Sequence, residues 1–98
     1  MAKEFSITEA PREHGAVVLR VTGRLDARNA QALLRTCRDH QEKGNRNLVI
    51  NLAEVTFVAS SGVGTLLALT EELGDAGGSV HLVALSDPVN SVVELLNL

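Results

Sequence analysis

The fold is decided by residues 48–74: Leu48-Val49-Ile50-Asn51-Leu52, then Ala53–Ala59, then Ser60-Ser61-Gly62-Val63-Gly64-Thr65 and a run that closes at Gly74. Leu48–Leu52 is a short, almost unbroken apolar run, the composition of a strand buried on both faces or nearly so. Beyond the serines, Val63, Leu66, Leu67 and Leu73 recur at helical intervals. Strand therefore gives way to helix near Ser60, with Ala53–Ala59 as the lead-in and Gly74 as the expected stop.

The same alternation continues on both sides. Upstream, Phe5–Ala10 is short and mixed, Pro11–Gly15 is a polar break, and Ala16–Thr22 is rich in β-branched residues. These predict a hairpin of two strands. Asp26 then stands before Ala30, Leu33, Leu34 and Cys37, spaced as one face of a helix, with Arg28, Arg35, Arg38 and Asp39 turned outward and Gly44 as the stop. Downstream, Gly77-Gly78 is a turn and Val80–Leu85 a strand. Asp87 and Pro88 open a last helix as cap and first helical residue, with Val89, Val92, Val93 and Leu96 as its buried stripe. From the second strand on, strand and helix alternate, which implies parallel strands joined by helical crossovers. The expectation is an α/β fold: a small mixed sheet of about four strands flanked by helices.

Ninety-eight residues allow one domain and one core, so 1–98 is expected to be a single domain. The chain ends Leu95-Leu96-Asn97-Leu98, an apolar stretch without a polar tail. Either that end is buried or the chain is a trimmed piece of a longer one. The apolar share is 45% and the charged share 21%, which is globular rather than disordered. Phe5 and Phe57 are the only aromatic residues, and the net charge is -3. Single-strand nucleic-acid binders stack bases on aromatic rings and need basic surface, so nucleic acid is not an expected direct partner. Cys37 has no second cysteine to pair with and reads as a small core residue in a reducing compartment. There is neither an apolar run of the ~20 residues that cross a membrane nor a signal-peptide core, so a cytoplasmic location is expected.

Ser60-Ser61-Gly62-Val63-Gly64 is the unusual segment. Two glycines in a first helical turn need a reason, since each costs about 1 kcal/mol against Ala inside a helix. One reason is steric: they let the helix start lie close against a strand, with Ser60 as its N-cap. The other is functional. A helix N-terminus presents unpaired N–H groups and partial positive charge, so a serine there can carry a phosphate without unfolding the helix. Enzyme motifs do not fit. Around Ser60 a nucleophile elbow would need glycine where Val58 stands, a P-loop would need Lys after Gly64, and a dinucleotide fingerprint would need glycine at Leu67. His14, His40 and His81 have no metal-ligand spacing, and Glu71-Glu72 reads as a solvated helix face. Asp26 reads as a helix cap, near Ser60 if both open on one sheet edge.

Taken together these segments resemble a family. Val21-Thr22-Gly23-Arg24-Leu25-Asp26 looks like the TGxLD segment of STAS domains. Leu48–Leu52 followed by Val55-Thr56-Phe57-Val58-Ala59-Ser60-Ser61-Gly62-Val63-Gly64 resembles their hhhDhsxhxFhDSSGhG stretch. Gly77-Gly78 before a strand and Asp87-Pro88-Val89 opening a helix are also similar, so the resemblance runs through the chain in register. It is nearest to free-standing bacterial anti-sigma-factor antagonists. The resemblance implies a non-enzymatic partner switch: the antagonist binds an anti-sigma factor that is a GHKL-type serine kinase, and so frees a sigma factor for transcription. The kinase phosphorylates the first serine of the motif with ATP, and a PP2C-type phosphatase restores it. By position Ser60 would be the phosphoacceptor, and Asp26, Ser61, Gly62 and Val63 the partner-binding residues. No cofactor, metal or membrane insertion is implied for the chain itself, which would be a monomer or weak dimer.

Two positions depart from the pattern. Ala59 stands where phosphorylated members usually carry Asp, and Asn51 replaces the Asp common after the central strand. The docking surface would survive these changes while the switch is weakened or differently regulated. The alternative is a STAS scaffold, or an accessory subunit of a stress-signalling complex or of a lipid or anion transport system, that is not phosphorylated.

Overall fold

A computed structural model describes residues 4–75, 77–84 and 86–90. The chain opens with a hairpin: strand β1 (Ser6–Glu13) pairs antiparallel with β2 (Ala16–Leu25), with Ser6 opposite Thr22 and Glu13 opposite Ala16. The two-residue turn between them, His14-Gly15, has positive φ at both positions (50° and 81°), which matches the twist of the flanking strands. Strand β1 thus runs through Pro11, where a polar break was expected. A proline can sit there because β1 is an edge strand and its pairing is irregular between Ala10 and Glu13.

Helix α1 (Ala27–Glu42) follows as predicted, burying Ala30, Leu33, Leu34 and Cys37. The Asp26 side chain caps it by accepting the Asn29 N–H at 2.9 Å. Gly44 ends it at φ 93°: its N–H donates to the Gln41 carbonyl, and that of Asn45 to the His40 carbonyl. Strand β3 (Asn47–Val58) then pairs parallel with β2, and β4 (Ser79–Val83) pairs parallel with β3, giving the order β1-β2-β3-β4. Between them runs helix α2 (Ser60–Asp75). It passes the expected stop at Gly74 and ends at Asp75, and beyond it the N–H of Gly78 donates to the Leu73 carbonyl at 2.8 Å.

Strand β3 is longer than the sequence pattern suggests. Residues 53–58, expected as a lead-in, continue the ladder to Val58, opposite Leu25. The reason lies in two irregularities, opposite Arg20–Thr22 and Gly23–Arg24, each inserting an extra residue into β3. Buried residues therefore fall at every second position up to Leu52 but at every third from there, at Val55 and Val58. The period-2 signal of a strand is lost while the strand goes on.

Helices α1 and α2 touch each other and lie on one face of the sheet, joined on the outside by Arg38, whose guanidinium holds both Glu72 carboxylate oxygens at 2.8 and 3.0 Å. Between helices and sheet lies one aliphatic core, with Leu19, Leu25, Leu33, Leu48, Ile50, Leu52, Leu69 and Leu73 fully buried. Leu69 belongs to it, while Leu67, expected there, is only half-buried at its margin. After β4, residues 87–90 are helical and bring Val89 into the core. The cap is one residue earlier than expected, because the Ser86 carbonyl accepts the Asn90 N–H. Leu85, Val92, Val93 and Leu96 lie outside the described residues. No helix among the described residues is long and apolar enough to cross a membrane.

Two outcomes follow from this core. Ile50→Ala should lower the unfolding free energy by about 2–5 kcal/mol, read as a fall in urea midpoint at unchanged slope. Cys37 is free and fully buried, and desolvation pushes its thiol up to about 12. At pH 8 it should be almost all thiol and shielded, so a thiol reagent should modify it only at the rate of unfolding.

Candidate docking edge

The parallel strands β2 and β3 both end at one rim of the sheet, and each hands over there to a helix. The two handovers are tied together. The Ala59 N–H donates to the Leu25 carbonyl at 3.1 Å. Ala59 adjoins Ser60 and Leu25 adjoins Asp26, so one hydrogen bond sets the starts of α1 and α2 side by side. Asp26 and Ser60, 34 residues apart in the chain, thus share the rim.

The caps of the two helices differ. Asp26, half-buried, supplies a side-chain acceptor to α1, and the Asn29 amide, by donating to the Arg24 carbonyl at 2.8 Å, fastens that first turn to the end of β2. In α2 the cap is Ala59, whose carbonyl accepts the N–H groups of Gly62 (2.9 Å) and Val63 (3.3 Å). Ser60 is therefore the first residue of the helix, not its cap. Its side chain stays exposed, and among the described residues it bonds to nothing. Alanine offers no side-chain oxygen, so the partial positive charge of the α2 N-terminus is not offset by its own cap.

The residues after Ser60 divide into surface and support. Ser61 is exposed, its carbonyl accepting the Thr65 hydroxyl at 3.1 Å. Val63, expected at a partner surface, is 1% exposed and belongs to the core. Gly62 is buried too, and a Cβ there would run into the Leu25 carbonyl. Helical geometry turns these two inward when Ser60 and Ser61 face out, so they shape the rim from beneath. Gly64 is exposed, with open space where its Cβ would be. The steric explanation of the glycines thus holds for Gly62 and not for Gly64.

Other polar residues lie elsewhere. His40, at the far end of α1, meets the Glu9 carboxylate at 3.1 Å, His14 forms the hairpin turn, and His81 is on β4. Among the described residues no group of three or more His, Cys, Asp or Glu is placed to hold a metal. What sequence reasoning missed at the rim is Phe57, exposed at 41% under the Arg24 guanidinium, whose carbon lies 4.3 Å from the ring centre. A period-2 count could not orient it, because it follows the second irregularity of β3.

A family model for the STAS domain matches residues 8–98. This chain belongs to the STAS domain family. Among solved structures it is similar to an anti-sigma factor antagonist from Mycobacterium paratuberculosis, at 29% identity and TM-score 0.75 over 94% of this chain and 79% of that one. It is also similar to the anti-sigma factor antagonist SpoIIAA in its unphosphorylated form, at 24% identity and TM-score 0.76 over 94% and 81%. The phosphorylated form of SpoIIAA, described as a Bacillus cell fate determinant, matches at 23% identity and TM-score 0.71 over 93% and 83%. A third relative, SLC26A9, matches at 18% identity and TM-score 0.60 over 86% of this chain but 17% of its own, so the STAS fold also occurs as a small part of a much larger chain. The four-stranded mixed sheet flanked by helices is the STAS fold of SpoIIAA.

The two glycines give a direct check on the rim. Gly62→Ala should destabilise by about 1–3 kcal/mol, because its methyl must push back the Leu25 carbonyl. Gly64→Ala should instead stabilise by up to about 1 kcal/mol, since it adds a better helix former in open space. Thermal melts of the two variants should move in opposite directions.

Proposed function

We propose that this STAS domain is an anti-sigma-factor antagonist working in the cytoplasm, which binds an anti-sigma-factor serine kinase of the GHKL type at the rim that carries Asp26, Ser60 and Ser61. The observation that carries the reading is the placement of Ser60: an exposed hydroxyl, free of internal hydrogen bonds among the described residues, on the first residue of a helix whose cap has no side-chain acceptor. The likeness to an antagonist at 29% identity supports it.

The switch would work by charge. The kinase transfers the γ-phosphoryl of ATP to Ser60 Oγ: a P–O bond forms to serine, the bond to ADP breaks, and the hydroxyl proton leaves. Phosphoserine adds a charge of about -1.5 to -2. At the α2 N-terminus the helix tolerates that charge, since the first N–H groups point toward it. A bound partner would not, because acidic groups facing the rim are repelled and the contact at Ser60 is filled. Hydrolysis of the phosphate by a PP2C-type phosphatase would restore the surface. Gly62 and Val63 serve this site by holding α2 against β2, with their neighbours Ser60, Ser61 and Asp26 making the contact.

Incubation with the cognate GHKL-type kinase and ATP, followed by mass spectrometry, tests the site. Wild type should gain one phosphate and Ser60→Ala none; a phosphate that persists in Ser60→Ala would overturn the assignment. Ser60→Asp should weaken capture of the kinase by at least tenfold, about 1.4 kcal/mol. A wild type that takes up no phosphate, yet is captured in a larger assembly, would point instead to a STAS scaffold, the reading favoured by Ala59.

A further inference from the structure

The second face of the sheet carries a feature that the phosphorylation site does not use. Along β2, Val18, Arg20, Thr22 and Arg24 alternate with the core residues Val17, Leu19, Val21 and Leu25, so they point away from the helices. Phe57, paired with Arg24 in the ladder, points the same way. Val18 is buried but stands outside the core cluster, which marks this as a separate surface. Phe57 lies three residues before Ser60, at the same rim, so the surface is continuous with the proposed docking edge.

Three properties single out the Arg24–Phe57 pair. Phe57 is one of two large apolar side chains exposed among the described residues, the other being Val83. The Arg24 guanidinium carbon lies over the ring at 4.3 Å from its centre, a contact that orders the side chain through its face and does not use its in-plane donors. Neither Arg24 nor Arg20 has a carboxylate partner among the described residues, in contrast to Arg38 with Glu72. The acidic residue facing Thr22 across this ladder, Glu54, has an interaction of its own. In a chain of net charge -3, two arginines on one face without a carboxylate partner among the described residues, one of them stacked on an exposed ring, make a local site for an anion.

We infer that the Arg24–Phe57 pair is an anchor for a surface carboxylate of the protein that docks at Ser60, with the carboxylate received by the guanidinium fork and an apolar neighbour of it resting on the exposed part of the ring. Aromatic and arginine side chains dominate binding energy at interfaces, and an ordered arginine loses little freedom on pairing. This inference rests on the docking reading above and names the chemistry of the partner: an acidic protein surface, which also makes it sensitive to the charge of phosphoserine nearby.

Titration calorimetry of the purified cognate GHKL-type kinase against wild type, Arg24→Glu, Arg24→Lys, Phe57→Leu and Ser60→Asp, at low and at high salt, tests it. All these side chains are exposed, and a melt of each variant confirms folding. Arg24→Glu should weaken binding at least tenfold and flatten its salt dependence, while Arg24→Lys, which keeps the charge but loses the planar stack, should recover part of the loss. Phe57→Leu should weaken binding several-fold at both salts. If Ser60→Asp weakens binding while Arg24→Glu and Phe57→Leu bind as wild type does, the anchor is overturned and the docking reading stands. If wild type shows no binding, the docking reading falls and takes the anchor with it.

Discussion

The hydrogen bond from the Ala59 N–H to the Leu25 carbonyl is the constraint on which the rest of this molecule's surface depends. It continues the β2–β3 ladder one step past Val58, and it is made at the point where both strands stop. The same carbonyl is the atom that a side chain at position 62 would strike. One backbone oxygen therefore fixes both the start of α2 and its distance from β2. With that distance set, Val63, Leu66, Leu69 and Leu73 reach the core, and Ser60 is left outside beside Asp26. Core and rim are two consequences of one close approach.

How far this was legible in the sequence differs between elements, for physical reasons. Helix α1 could be read almost completely, since its buried stripe keeps a regular period and both ends carry side-chain signals, a carboxylate at Asp26 and a glycine at Gly44 that takes positive φ. Strand β3 could be read only to Leu52. Pairing beyond that point depends on where β2 lies, and the two inserted residues shift each following side chain relative to a simple alternation. Phe57 was left without a face for the same reason, because a residue after a bulge cannot be assigned one until the bulge is known.

The start of α2 was also read one residue late. A serine beside a helix start looks like a cap, and local preference favours Ser over Ala there. What overrides preference is the tertiary bond at Ala59, which places its carbonyl, rather than that of Ser60, at the head of the helix. The same shift of one residue occurs at Ser86 and Asp87, where two good capping residues stand together and only the geometry selects between them. The juxtaposition of Asp26 and Ser60 was legible as topology, since parallel strands bring their following loops to one edge.

Ala59 then acquires a meaning beyond a missing acid. A carboxylate at the cap of α2 would stabilise the helix by roughly 0.5–2 kcal/mol relative to alanine. It would also put a negative charge next to any phosphate on Ser60, with the Asp26 carboxylate already on the same rim. Alanine gives up the capping stabilisation and leaves the positive end of α2 to whatever anion arrives. The first exposed residue of that helix bears a hydroxyl, and no charged residue occurs in α2 before Glu71. An added phosphate would then be the dominant charge over the first three turns of the helix. An alanine cap therefore lowers the electrostatic cost of the phosphorylated state, even as it removes a group that could orient the serine during transfer.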